Sequence, residues 1–97
     1  IRVPAPVLAE VCRSVRHDAV IHHLLSNPGV RVVELDRTAA QQAGQMLARL
    51  KLSSEHAIDA FVVAIALQFD TAVIATGDPD DIARLAAPFS RIGVFAL

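Results

Sequence analysis

The chain has 97 residues, 54% of them hydrophobic and 20% charged, which is enough apolar material for one packed domain and excludes two independent domains or a disordered chain. Nine Lys and Arg against ten Asp and Glu give a formal net charge of −1. No overall positive field therefore draws the chain to nucleic acid or anionic lipid, and any polyanion it handles has to be met by a local site.

One cysteine, Cys12, excludes an internal disulfide and a cysteine-based zinc site. Set among Val11 and Val15, it is read as a small buried hydrophobe. The longest apolar run, 60–67, is far short of the roughly 20 residues that cross a bilayer. With no apolar secretory stretch either, the expected setting is soluble, reducing and cytoplasmic.

In chain order, Pro4 opens a helix, because proline is tolerated in the first turn and Val7, Leu8, Val11, Cys12 and Val15 follow at steps of three and four. A second helical stretch through Ala19, Val20, Leu24 and Leu25 ends at Ser26-Asn27-Pro28-Gly29. The Val-rich segment 30–35 reads as a strand. Thr38 and Gln41 have capping-box spacing, and Ala39, Ala43, Met46, Leu47 and Leu50 carry a helix toward Lys51. Ser53 and Ser54 offer the next N-cap, before a helix through Ile58, Phe61, Val62, Ile65, Ala66 and Phe69 that is apolar nearly all round and therefore buried.

Residues 72–75 read as a strand covered on both faces, ending in Thr76-Gly77-Asp78-Pro79-Asp80-Asp81. A short helix over 82–87 and a last strand over 92–97 complete the pattern. Strands alternating with helices imply a mostly parallel sheet in a three-layer α/β domain.

Three carboxylates stand where solubility alone does not ask for them. Asp59 lies near the start of the most apolar helix, a position that the helix macrodipole also favours by about 0.3–1 kcal/mol. Asp78 directly follows a strand, where open parallel sheets bind their ligands, although a helix start there would also choose Asp-Pro-Asp-Asp. Glu10 sits among Val7, Leu8 and Val11 and reads on its own as a solvated flank residue. Together the three make chemical sense around a hard cation. Oxygen ligands suit Mg²⁺ or Mn²⁺, which can activate water and steady an in-line phosphodiester displacement, whereas packed carboxylates without a cation repel one another.

Among the histidines, His17, His22 and His23 do not share a helix face and are set aside as a zinc site. His56 is read as a surface histidine within reach of a carboxylate. Arg13 and Arg16, on one face of the first helix, are read as solvated or as contacts for RNA phosphate.

These segments resemble the PIN-domain ribonucleases, and most closely the VapC-type toxins of bacterial toxin-antitoxin pairs. Val3-Pro4-Ala5-Pro6-Val7-Leu8-Ala9-Glu10-Val11 looks like the segment with that family's acidic Glu. Ile58-Asp59-Ala60-Phe61-Val62-Val63-Ala64-Ile65-Ala66-Leu67 looks like its Asp-Ala helix, and Ala72-Val73-Ile74-Ala75-Thr76-Gly77-Asp78 like its final strand and Thr-x-Asp turn.

The resemblance implies a PIN-like α/β/α domain over 1–97. It makes Glu10, Asp59 and Asp78 the catalytic acids that hold Mg²⁺ or Mn²⁺, with Thr76 as a supporting hydroxyl and Asp81 as an outer acid. It also implies metal-dependent hydrolysis of RNA and a protein antitoxin as partner. The family's first strand, with its own Asp, and the helices after it have no counterpart. The expectation is thus an N-terminally truncated chain that starts at the family's second strand, lacks one ligand, and exposes apolar strand edges that favour a homodimer, by strand exchange where the sheet is completed by a partner. Two further readings are a catalytically incompetent fragment that self-associates or grips an antitoxin, and a receiver-like domain around Asp78. The latter lacks the expected lysine near a late strand, since Lys51 is the only one.

Overall fold

The computed structural model describes residues 1–97, which form two compact units, Ile1–Leu35 and Asp36–Leu97. The architecture is mixed α/β, and every strand pairing is parallel.

In the first unit, β1 (Arg2–Pro4) runs into a single 3₁₀ turn, Ala5–Val7, and then α1 (Leu8–Val11), α2 (Val15–Leu25) and β2 (Arg31–Val33). β1 pairs with β2 in the register Arg2 to Arg31, Val3 to Val32 and Pro4 to Val33. The Ile1 ammonium donates to the Gly29 carbonyl at 3.0 Å, and Arg31 N–H donates to the Ile1 carbonyl at 2.9 Å. The Asn27 side chain accepts from Gly29 N–H at 2.8 Å, closing the turn that delivers β2.

The single helix expected from Pro4 through Val15 is broken. Ser14 is extended and its hydroxyl accepts from His17 N–H, starting a new helix at Val15. Cys12, expected to be buried, closes α1 and is exposed. Arg13 falls in the break and Arg16 in α2, so the two do not share one helix face.

The second unit contains α3 (Arg37–Leu50), a 3₁₀ turn at Ser54–His56, α4 (Ala57–Ala66), β3 (Ala72–Thr76), α5 (Pro79–Ala86) and β4 (Ile92–Ala96). β3 pairs with β4 from Ala72–Ile92 to Thr76–Ala96, with α5 as the crossover that parallel pairing requires. α3 is capped two residues before the expected Thr38, by Asp36. Asp36 is extended, and its carboxylate accepts from Ala39 N–H at 2.8 Å. α5 likewise starts earlier than expected, at Pro79, whose missing N–H costs nothing in a first turn.

The core lies in this unit: Ala39, Ala43 and Met46 of α3, Ala60, Val63, Ala64, Ile65 and Ala66 of α4, Ile74 of β3, Ile82, Leu85 and Ala86 of α5, and Ile92 of β4. Buried alanines lie on both helices of the α3–α4 pair, small side chains that let the two backbones pack together. α4 is buried along most of its length, as its composition implies.

β3 differs from expectation, because it is covered on one face only. Ile74 is buried while Val73 is 74% exposed, and on the paired strand Phe95 is 60% exposed. Side chains alternate across a strand, so Val73, Ala75, Gly93 and Phe95 share the open face.

Candidate metal centre

The chemistry of the second unit concentrates where the start of α4 meets the start of α5, two helices that pack together. Asp59 is the third residue of α4, half-buried in its first turn. A carboxylate there complements the helix dipole, but it has neighbours that a dipole alone does not bring. His56, Asp59 and Asp81 each present a ligand atom, and these atoms lie within 4.8 Å of one another. All three side chains are partly buried.

His56 closes the 3₁₀ turn before α4, and its ring is held edge-on between acids. Nδ1 faces Asp81 Oδ2 at 3.9 Å, and Nε2 faces Glu55 Oε1 at 3.4 Å. It is therefore no plain surface histidine: its side chain is 21% exposed. Asp81, expected as an outer acid, is a central member of the group. Its place follows from the early start of α5, which sets Asp80 and Asp81 in the first helical turn.

Asp78 follows β3 at the C-terminal end of the strand and precedes Pro79. It occupies the N-cap position of α5, yet its side chain makes no capping hydrogen bond. Its own N–H instead donates to Thr76 Oγ1 at 3.0 Å, so the threonine hydroxyl fixes the turn that carries it. The Asp78 carboxyl titrates above the usual aspartate value. The charge of Asp81 is the largest cause, followed by desolvation, a hydrogen bond shared with Asp81 and the charge of Asp80; His56 acts in the opposite direction. Two carboxylates crowded in this way repel each other, and either a shared proton or a cation relieves the repulsion.

Asp59, Asp81 and His56 thus form one group, and Asp78 adjoins it through Asp81. Glu10 belongs to the first unit. There it lies exposed on α1 and lines, with Val11, Arg13, His17, Val20 and Ile21, an open groove of about 390 Å³. Arg13 Nε donates to the Glu10 carbonyl at 3.2 Å, leaving the Glu10 carboxylate out of that contact.

The donor set fits a divalent cation. Two carboxylates and an imidazole within a few ångströms, with the Asp78 carboxyl raised by the neighbouring charge of Asp81, are what a divalent ion neutralises. His56, Asp59 and Asp81 are the residues that would hold such an ion, whose positive charge would offset the crowded carboxylates.

A family model described as PIN domain matches residues 1–88 of the chain. No curated protein and no solved structure matches it.

Proposed function

This chain belongs to the PIN-domain family, and on that premise we propose that it is a Mg²⁺- or Mn²⁺-dependent endoribonuclease, the toxin of a VapC-type toxin-antitoxin pair. PIN domains are generally nucleases and typically use a divalent metal. The observation that carries the reading is the convergence of Asp59, Asp81 and His56, with Asp78 beside Asp81, at the C-terminal end of β3.

In this reading Asp59, Asp78 and Glu10 are the catalytic metal ligands, Glu10 on the strength of the family resemblance alone. Thr76 supports them by holding the Asp78 turn, and Asp81 adds a further acid. A bound divalent ion supplies the positive charge that polarises a phosphodiester and makes water acidic enough to attack it. The chain's own contribution is to aim the carboxylates from two helix starts and one strand end, and to hold the turn rigid. Its formal charge of −1 leaves the RNA phosphates to be drawn to this local centre.

No helix is long and apolar enough to cross a membrane. The proposal places the protein in the cytoplasm, the 97 residues acting as one PIN-like domain that a protein antitoxin restrains and that pairs as a homodimer. The exposed apolar face of Val73 and Phe95 favours a second reading, a self-associating or antitoxin-gripping module without catalysis.

One experiment separates the two. Labelled RNA is incubated with the chain in Mn²⁺, Mg²⁺ or EDTA, alongside Asp59→Asn and Asp78→Asn. The enzyme reading expects cleavage that EDTA stops and that each variant lowers by at least about 100-fold, with unchanged circular dichroism. An oligomer that cleaves no RNA in either metal supports the binding module and overturns the enzyme.

A further inference from the structure

We infer that His56 is a nitrogen donor of the metal centre, oriented by Glu55, and that it makes the site prefer transition ions such as Mn²⁺ and Co²⁺ over Mg²⁺. The inference rests on reading the Asp59–Asp81 cluster as a metal site and adds a ligand that an all-carboxylate set does not contain.

Two separate observations support it. First, a ring nitrogen of His56 is within 4.8 Å of ligand oxygens of both Asp59 and Asp81, with Nδ1 on the Asp81 side. Second, the other nitrogen, Nε2, faces the carboxylate of Glu55 at 3.4 Å, on a residue outside that group. A metal-bound histidine commonly gives its second N–H to an outer carboxylate, which sets the tautomer and the ring orientation and makes the ligating nitrogen more basic. Glu55 stands at ion-pair distance from Nε2, in position to take this outer role when His56 binds a metal through its other nitrogen, and the two neighbouring side chains both belong to the 3₁₀ turn Ser54–His56.

The chemical consequence concerns selectivity. Mg²⁺ favours oxygen ligands and sheds water reluctantly. Imidazole instead suits ions further along the first transition row, whose affinity for a nitrogen-bearing site rises from Mn²⁺ through Co²⁺. A site with one imidazole and two carboxylates therefore gains affinity for Mn²⁺ and Co²⁺ from His56 and gains little for Mg²⁺.

The test is titration of the full 97-residue chain with each of the three ions by calorimetry, for wild type, His56→Ala, Glu55→Gln and Asp59→Asn. His56→Ala should weaken Mn²⁺ and Co²⁺ by about tenfold or more while changing Mg²⁺ by less than about threefold. Glu55→Gln should weaken Mn²⁺ and Co²⁺ by a smaller factor in the same direction. Cobalt-loaded wild type should also show a hyperfine-shifted imidazole N–H proton, a readout that stands even where His56→Ala fails to fold. If Asp59→Asn abolishes binding of all three ions while His56→Ala leaves their ratios unchanged and no shifted N–H appears, His56 is not a donor and the metal-site reading survives. If wild type binds none of the three, both readings fall.

Discussion

Asp78 shows how one residue type serves two purposes that sequence cannot separate. An aspartate between a strand and a proline is both a good N-cap and a good metal ligand, and the same Asp-Pro-Asp-Asp frame satisfies either. Hydrogen bonding removes only the capping reading: the Asp78 carboxylate caps nothing, and its N–H is taken by Thr76. His56 was less legible still, because Asp81, which faces its Nδ1 at 3.9 Å, lies far along the chain and is brought beside it by the packing of α4 and α5. The raised Asp78 titration gives a prediction at this scale. Its main cause is the charge of Asp81, so Asp81→Asn should lower the Asp78 midpoint toward the usual aspartate value, read from its carboxyl carbon shift. The sign for stability follows. A carboxyl whose folded value is raised favours the fold below its ordinary value and loses that contribution as pH rises through the raised one. In wild type the pair therefore opposes folding at neutral pH, and Asp81→Asn should flatten stability across that window; an unmoved Asp78 titration would contradict the assignment.

The helices and strands were legible to the extent that periodicity reports them. The apolar stripe of α3, the all-round apolar character of α4 and the short strands β3 and β4 follow from residue spacing, and each is present. Ends were harder to place. Thr38 with Gln41 has good capping spacing, but Asp36 is the residue whose extended backbone lets its carboxylate reach Ala39 N–H, and it starts α3 two residues earlier. The apolar series from Val7 to Val15 runs on at helical period through a real break, because Ser14 starts a second helix that periodicity alone does not reveal. The burial of β3 on one face also lay beyond the sequence, since a run of apolar residues is compatible with cover on either face or on both. The C-terminal end of α3 offers a test. Lys51 adopts φ 56° and ψ 40°, and Leu52 N–H donates to the Leu47 carbonyl at 2.9 Å. This is a left-handed helix stop of the kind glycine occupies without a Cβ penalty. Lys51→Gly should stabilise the protein by about 0.5–1 kcal/mol, after allowing for glycine's looser unfolded chain. A urea midpoint that does not rise would show that the lysine makes compensating contacts.

At the scale of the molecule, the buried core belongs to Asp36–Leu97, and Ile1–Leu35 contributes no fully buried residue. The candidate metal group His56, Asp59 and Asp81 belongs to the same unit as that core, beside helices whose inner faces are packed: Ala60, Val63 and Ala64 of α4, and Ile82 and Leu85 of α5. Rigid helix starts can hold carboxylates together against their repulsion in a way that loops cannot. Membership of the family was readable in the chain, while the particular group that forms depended on how two helices pack. A divalent metal site at this group is what the enzyme proposal requires. Its most direct test is a Mn²⁺ titration of the ¹⁵N-labelled chain followed by paramagnetic broadening of amide signals, with Asp59→Asn as control. The expected result is saturable broadening centred on residues 56, 59, 78 and 81 that vanishes in Asp59→Asn while the rest of the spectrum is unchanged. Broadening that never saturates, or that centres elsewhere and persists in the variant, would contradict it.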